Sequence, residues 1–316
     1  MSLPNWLWAI TGGVQYDLTG AGLFWQEHSD GWGLPPMHRF TSRGPQQHGE
    51  TNIDFRLDPR IINLVGGTVR DTQSSIADAR RRLMGIFKPS NAAILLRWDL
   101  ANGSVRQIDA FYSDGMSLPL GHVTAGRVSS QNQSGQTPLY GEALYQRTAI
   151  ELVCPDPTFY DPTAHVVTIT NTSFGSGLTV PMPVPFSIGA SSMNVSQAIA
   201  YDGDWLAYPV LRLIGPLTDP VIRNTTTGEV LDFTGATINA GDYWDIDLGY
   251  AAKTVTDAAG TSQIGALVDG SDLATFHLAA TPTADAPYSN TLTLVAGGAN
   301  SVSSLRVTYY SRFIGL

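Results

Sequence analysis

The sequence predicts a mainly β protein of two domains with a single long helix. Three observations lead there. Short stretches in which apolar and polar residues alternate recur along the chain, and that period of two is the mark of a strand with one covered face. With 32 Gly and 19 Pro in 316 residues, turn-forming residues are frequent enough to separate many short strands. One window alone, Ser74–Phe87, carries apolar residues at helical spacing over a helix-sized length.

A hydrophobic content of 43% supplies packed cores, and the length favours two domains over one. The division is expected in Thr148–Pro162. There Thr148, Ile150, Leu152 and Cys154 alternate with Ala149, Glu151 and Val153, so a strand is predicted up to Cys154. Pro155, Pro157 and Pro162 then remove backbone donors and fix φ, which makes the following segment a stiff connector. The expected domains are 1–160 and 161–316.

Taken in order, Trp6–Ile10 is a predicted strand, and the glycines between 11 and 22 predict turns. Residues 27–50, with Gly31, Gly33, Pro35, Pro36, Gly44, Pro45 and Gly49, read as one long polar loop. Asn52–Leu57 follows as a strand with Ile53, Phe55 and Leu57 on one side, and Ile61–Val65 as another. In the helix, Ile76, Leu83 and Phe87 form the apolar face with the Arg80 stem, widened by Ala77 and Met84. Ser74 or Ser75 is its expected cap, and Pro89 its end. Arg80, Arg81 and Arg82 read as a solvated face. Ala93–Leu100 and Ser104–Tyr112 flank Asn102-Gly103, a hairpin signal. Residues 113–143 predict a long excursion. Beyond the connector, strands are expected at Val166–Thr170, Val184–Ile188, Ala207–Ile214, Pro220–Arg223, Glu229–Phe233, Asp242–Leu248, Thr275–Leu278, Thr291–Val295 and Ser304–Tyr310. That spacing implies a β-sandwich.

Charge narrows the function. Residues 1–160 hold 13 Lys and Arg against 14 Asp and Glu, while 161–316 hold 5 against 13. The second half is a poor partner for phosphate backbones, and no stretch reads as a basic recognition helix. The lone cysteine, Cys154, has no internal disulfide partner, which fits an intracellular assembly. The first charged residue is Asp17, so no basic leader is read, and no apolar run nears the roughly 20 residues that span a bilayer.

No catalytic, cofactor or metal residue is assigned. His38 and His48 share the first long loop, but none of the six histidines pairs at ligand spacing. Cys154 is expected as a buried small hydrophobe, with no activating neighbour. Asp202 and Asp204, or Asp242, Asp245 and Asp247, have the composition of a Ca²⁺ site or a glycosidase pair. Asp245 and Asp247, two apart and alternating with Trp244, Ile246 and Leu248, read instead as a solvent face. Trp205, Tyr208, Tyr243, Trp244, Tyr250, Tyr309 and Tyr310 supply either a sandwich core or a sugar platform. The expectation is a non-enzyme.

The order of certain pieces resembles the distal tail protein (Dit) family of long-tailed, non-contractile phages, over nearly the whole length. The pieces are Gly33-Leu34-Pro35-Pro36, Gly49-Glu50, Asp58-Pro59-Arg60-Ile61-Ile62, Leu83-Met84-Gly85-Ile86-Phe87-Lys88-Pro89 and Arg106-Gln107-Ile108. Cys154-Pro155-Asp156-Pro157-Thr158-Phe159-Tyr160 follows, then Ala207-Tyr208-Pro209-Val210-Leu211, Ile214-Gly215-Pro216, 224–228, 241–247 and Arg306-Val307-Thr308-Tyr309-Tyr310. The resemblance implies a first domain of the tail-tube type, a β-sandwich or barrel with one helix and a projecting loop, closing into a homohexameric ring. It implies a galectin-like β-sandwich as the second domain. It further implies a virion protein made in the host cytoplasm, sitting at the tail tip between the tail tube protein and the tip or baseplate hub, with the tape-measure protein as a further partner. DNA would leave through the lumen, without a membrane partner or a cofactor. The His-x-Asn-x-Arg pattern that galectins use for sugar is missing, so a host-surface carbohydrate site on the second domain stays the alternative reading.

Overall fold

The computed structural model describes residues 6–18, 25–70, 72–118, 124–127, 142–170, 192–250, 252–281 and 288–316. The fold is mainly β, built from antiparallel sheets with one α-helix among the described residues. It divides into two compact units, Met1–Pro162 with Ile314–Leu316, and Thr163–Phe313. No helix among the described residues is long and apolar enough to cross a membrane.

The first unit holds β1 (Trp6–Thr11), β2 (Val14–Asp17), β3 (Trp25–Asp30), β4 (Met37–Ser42), β5 (Thr51–Leu57) and β6 (Arg60–Arg70). Helix α1 (Gln73–Ile86) follows, then β7 (Ile94–Asp99), β8 (Val105–Ser117), β9 (Thr124–Arg127), β10 (Glu142–Cys154) and β11 (Phe159–Tyr160). Its main sheet runs β2-β1-β7-β8-β10-β6-β3, with β9 added to β10 and β11 to β8. Strand β8 serves three partners, and β11 meets it at Gln107 through Tyr160. Val105–Ala110 pair with β7, and Phe111–Ser117 pair with β10 through a register shift. At the β7–β8 turn Gly103 has φ +84° and Asn102 Oδ1 accepts from Ser104 N at 3.0 Å, as the Asn-Gly signal predicts.

Alternation places Leu7 and Ala9, Ile62 and Leu64, Leu96, Ile108 and Ala110, and Ile150, Leu152 and Cys154 in the core. Helix α1 packs on β6 and β10. It starts one residue earlier than expected, because Thr72 rather than Ser74 or Ser75 is the cap. Thr72 Oγ1 accepts from Ser75 N at 3.2 Å, and Ser75 Oγ accepts from Thr72 N at 3.3 Å, a reciprocal box. The buried row is Ile76, Ala79, Leu83 and Ile86, with Phe87 beyond. Ala77 and Met84 fall one position off that row and are exposed, contrary to the expected wider face.

Two loop expectations change. Residues 27–50 are not one loop, because β3 ends within them and β4 forms there against β5. The excursion at 113–143 begins later, since β8 continues to Ser117 and β10 starts at Glu142; 119–123 and 128–141 lie outside the described residues.

The second unit is a sandwich of two five-stranded sheets, with an eleventh, two-residue strand, Arg312–Phe313, in neither of them. Its strands are β12 (His165–Thr170), β13 (Met193–Tyr201), β14 (Val210–Ile214), β15 (Leu217–Asn224), β16 (Glu229–Asp232), β17 (Thr237–Ile238), β18 (Tyr243–Asp247), β19 (Thr254–Asp257), β20 (Tyr288–Gly297), β21 (Ser304–Tyr309) and β22 (Arg312–Phe313). One sheet is ordered β12-β21-β14-β18-β19. The other is β13-β20-β15-β16, with β17 on β15. Leu211, Leu213, Trp244, Ile246, Leu305 and Val307 from the first sheet share a core with Ile199, Ile222, Leu231, Leu292 and Leu294 from the second. Strands β13 and β19 form where no strand was expected. Thr275–Leu278 forms only a bridge from Leu278 to Ala207 instead of the expected strand, and Val184–Ile188 lies outside the described residues.

Candidate assembly surface

A buried arginine fixes the most exposed element of the first unit. Arg60 opens β6 opposite Cys154 and is 1% exposed. Its guanidinium donates through Nε to Pro157 O at 2.7 Å, through Nη1 to Gly31 O at 2.5 Å and Gly33 O at 2.6 Å, and through Nη2 to Ile314 O at 2.6 Å. The Phe159 ring lies 4.7 Å away. Carbonyl dipoles thus solvate a charge taken out of water. Burial lowers the Arg60 pKa from its ordinary value, yet arginine starts so high that it stays charged. The same burial pushes the neighbouring Cys154 thiol up to about 12, so it is no nucleophile at neutral pH.

The segment that Arg60 grips is the root of the β4–β5 hairpin. Gly31 has φ +95°, and a Cβ there would meet Ile61 O at 2.2 Å, so only glycine fits. Trp32 packs against Trp98 at 4.7 Å and Phe159 at 6.3 Å, and its Nε1 donates to Ser29 Oγ at 2.7 Å. Leu316 N donates to Trp32 O at 3.1 Å, and Asp58 N to Pro36 O at 2.9 Å closes the neck.

Beyond the neck, all of β4 and β5 through Arg56 is exposed. Cross-strand pairing puts Met37 beside Leu57 and Arg39 beside Phe55, with Ile53 further along the same side. The other side pairs His38 with Arg56 and Phe40 with Asp54. Ile53 is 64% exposed, Met37 46% and Phe55 43%. The Arg56 guanidinium sits 5.7 Å from the Phe40 ring centre, and His38 meets that ring edge-on at 5.0 Å. At the tip, Gly44 N donates to Gln47 Oε1 at 2.9 Å, and Gln47 Nε2 donates to Thr51 Oγ1 at 2.8 Å. A two-stranded ribbon is marginal by itself, and one with apolar side chains in water gains by being covered.

The other residues weighed in the sequence do not converge. His38 lies edge-on to Phe40 and His48 is exposed. Among the described residues, no group of three or more His, Cys, Asp or Glu is arranged to hold a metal. Asp202, Asp204 and Asp242 are exposed, and Asp202 accepts from Ser311 Oγ. Asp245 makes a two-bond pair with Arg212, at 2.6 and 2.7 Å, which raises the arginine's pKa further. Trp244 is 8% exposed against Phe233, and Tyr309 is buried with its hydroxyl on Ala200 O. Tyr250 is exposed and meets Tyr208 edge-on at 4.6 Å, and Tyr208 also carries the Lys253 ammonium at 4.1 Å from its ring. Sequence reasoning missed Arg60, because its acceptors lie at 31, 33, 157 and 314 and leave no local pattern.

No protein-family model matches the chain, and no curated protein sequence matches it. Among solved structures, the Dit protein of phage SPP1 aligns over 97% of this chain and 99% of its own, with a TM-score of 0.62 and 12% identity. That structure is described as a paradigm of the hub adsorption apparatus in phages infecting Gram-positive bacteria. Chains of the phage P2 baseplate in its activated conformation also align. With Ca the TM-score is 0.42 at 10% identity, and with Sr 0.42 at 9% identity; each covers 96% of this chain and 97% of that one. At 12% identity the likeness to the SPP1 protein is one of fold, and it extends over both units.

Proposed function

We propose that this chain is a structural hub protein of a phage tail, of the distal tail kind. Copies of it close into a homohexameric ring that joins the tail tube protein to the tail tip or baseplate, and the genome leaves through the lumen. The observation that carries the reading is the end-to-end fold match to the SPP1 Dit protein, whose family the ordered sequence pieces also resemble. In this reading 1–160 is the ring-forming, tail-tube-like domain and 161–316 the galectin-like one, and neither is catalytic. The tape-measure protein is a further neighbour in the tail, and the virion tail tip is the location.

The physics supports self-association. A ring is built by heterologous contacts that close by rotation, so each copy must present a surface its own fold leaves uncovered. The β4–β5 hairpin is such a surface. A host-surface sugar-binding role on the second unit gains nothing from Trp244, which is buried. The test is sedimentation velocity on the purified chain across a concentration series, with micrographs of the heaviest species. A mass near six chains and ring-shaped particles are expected. A strictly monomeric chain at every concentration overturns the ring.

A further inference from the structure

The last three residues count with the first unit, although the second unit precedes them in the chain. We propose that Ile314–Leu316 and Arg60 are positioning residues of the assembly surface: the tail, through its backbone, holds the root of the Met37–Leu57 hairpin. The step from a held hairpin to ring assembly rests on the self-association proposed above; the holding itself does not.

Three segments far apart in sequence meet on one guanidinium. Gly31 and Gly33 belong to the hairpin root, Pro157 to the connector and Ile314 to the tail. Arginine presents its donors in a rigid fork, so the four acceptors fix one another's positions through it. With the side chain 1% exposed, water cannot replace a lost carbonyl cheaply. The tail also touches the root directly. Leu316 N donates to Trp32 O, and a Cβ at Gly315 would lie 3.4 Å from both Gly33 O and Trp32 O, so the two backbones are in contact.

This grip matters because residues 37–56 are exposed except Gln47, while the neck carries backbone and guanidinium hydrogen bonds that tie the ribbon to the unit. The neck is 31–36 on one side and 57–60 on the other, and Arg60 spans both. Every tail contact named here is made by backbone, through Ile314 O and Leu316 N. The Leu316 side chain is exposed, so the hold at that residue is carried by its peptide.

The experiment compares hydrogen exchange and sedimentation in the full chain, a variant ending at Phe313, a Leu316→Ala variant, and Arg60→Lys. Lysine keeps the charge but cannot reach four carbonyls at once. The truncation and Arg60→Lys are expected to speed exchange at the Asp58 amide and the β4–β5 ladder by about ten- to hundredfold. Strands β20 and β21 should keep wild-type rates. The Leu316→Ala variant should exchange and sediment like wild type. Where the wild type forms rings, the truncated chain should form them only at higher concentration. Unchanged exchange in the truncated chain overturns the proposal, and so does a Leu316→Ala variant that loosens as much as the truncation. If the truncated chain fails to fold, Arg60→Lys reads the same root with the tail intact, and unchanged exchange there overturns it. A wild type that never self-associates, yet loosens at the root on truncation, removes the ring while upholding the grip.

Discussion

Strands β5 and β18 carry the same pattern and meet opposite fates. In β5, Ile53, Phe55 and Leu57 alternate with Asn52, Asp54 and Arg56; at β18, Trp244, Ile246 and Leu248 alternate with Tyr243, Asp245 and Asp247. The apolar set at β18 is buried, Ile246 and Leu248 completely, under the facing sheet of its sandwich. Ile53 and Phe55 are 64% and 43% exposed. Alternation therefore reports that a strand has an apolar side. It does not report what covers that side. For β18 the cover lies within the chain, while the apolar side chains of β5 stay exposed, and that contrast is what supports the proposed assembly.

The largest effect expected from breaking this comparison is at Trp244. Trp244→Ala opens a void between two sheets and removes the edge-on packing with Phe233. A loss of about 3–5 kcal/mol in unfolding free energy is expected, read as a lower denaturant midpoint. The matched change on the hairpin, Ile53→Asn with Phe55→Ser, touches nothing buried. Its unfolding free energy should stay within about 0.5 kcal/mol of wild type. Self-association by sedimentation should nevertheless fall sharply. A double variant that assembles normally would show that the hairpin's apolar side is not a contact. One that loses several kcal/mol of stability would show that the side is covered within the chain.

Much of the fold was legible because it depends on local pattern. The β10 alternation ends at Cys154 where prolines begin, and the inward face Thr148, Ile150, Leu152, Cys154 is buried throughout. The turn between β7 and β8 formed at Asn102-Gly103, with Gly103 at φ +84°. What was misread depends on partners distant in sequence. Met37–Ser42 looks like loop because its pattern is polar and glycine and proline flank it, and only pairing with β5 makes it a strand. Thr72 took the helix cap from Ser74 and Ser75 because cap choice turns on one residue's extended backbone, φ −137° and ψ 155°. The candidate assembly surface was half legible. Its apolar alternation was visible, but its exposure and its anchoring on Arg60 and Ile314 were not.

The smallest expected effect separates two turns. The hairpin tip is held by Gln47, an amide that does not titrate. The turn after β19 is held by the Asp257 carboxylate, which accepts from Ala259 N and Thr261 N at 2.9 Å and Gln263 Nε2 at 2.8 Å. Those donors favour the charged form, with Thr261 N foremost, and lower the Asp257 pKa below its ordinary value. A lowered native pKa means the hold is fully present above the unfolded carboxylate value of about 3.9. It is lost as pH falls through the native value. Acidification should therefore speed exchange at the Ala259 and Thr261 amides beyond the intrinsic pH effect, while the Gly44 amide at the hairpin tip follows the intrinsic effect alone. Asp257→Asn should erase the difference between the two turns. Equal acid response at both amide sets in the wild type would show that Asp257 carries no part of the second turn's rigidity.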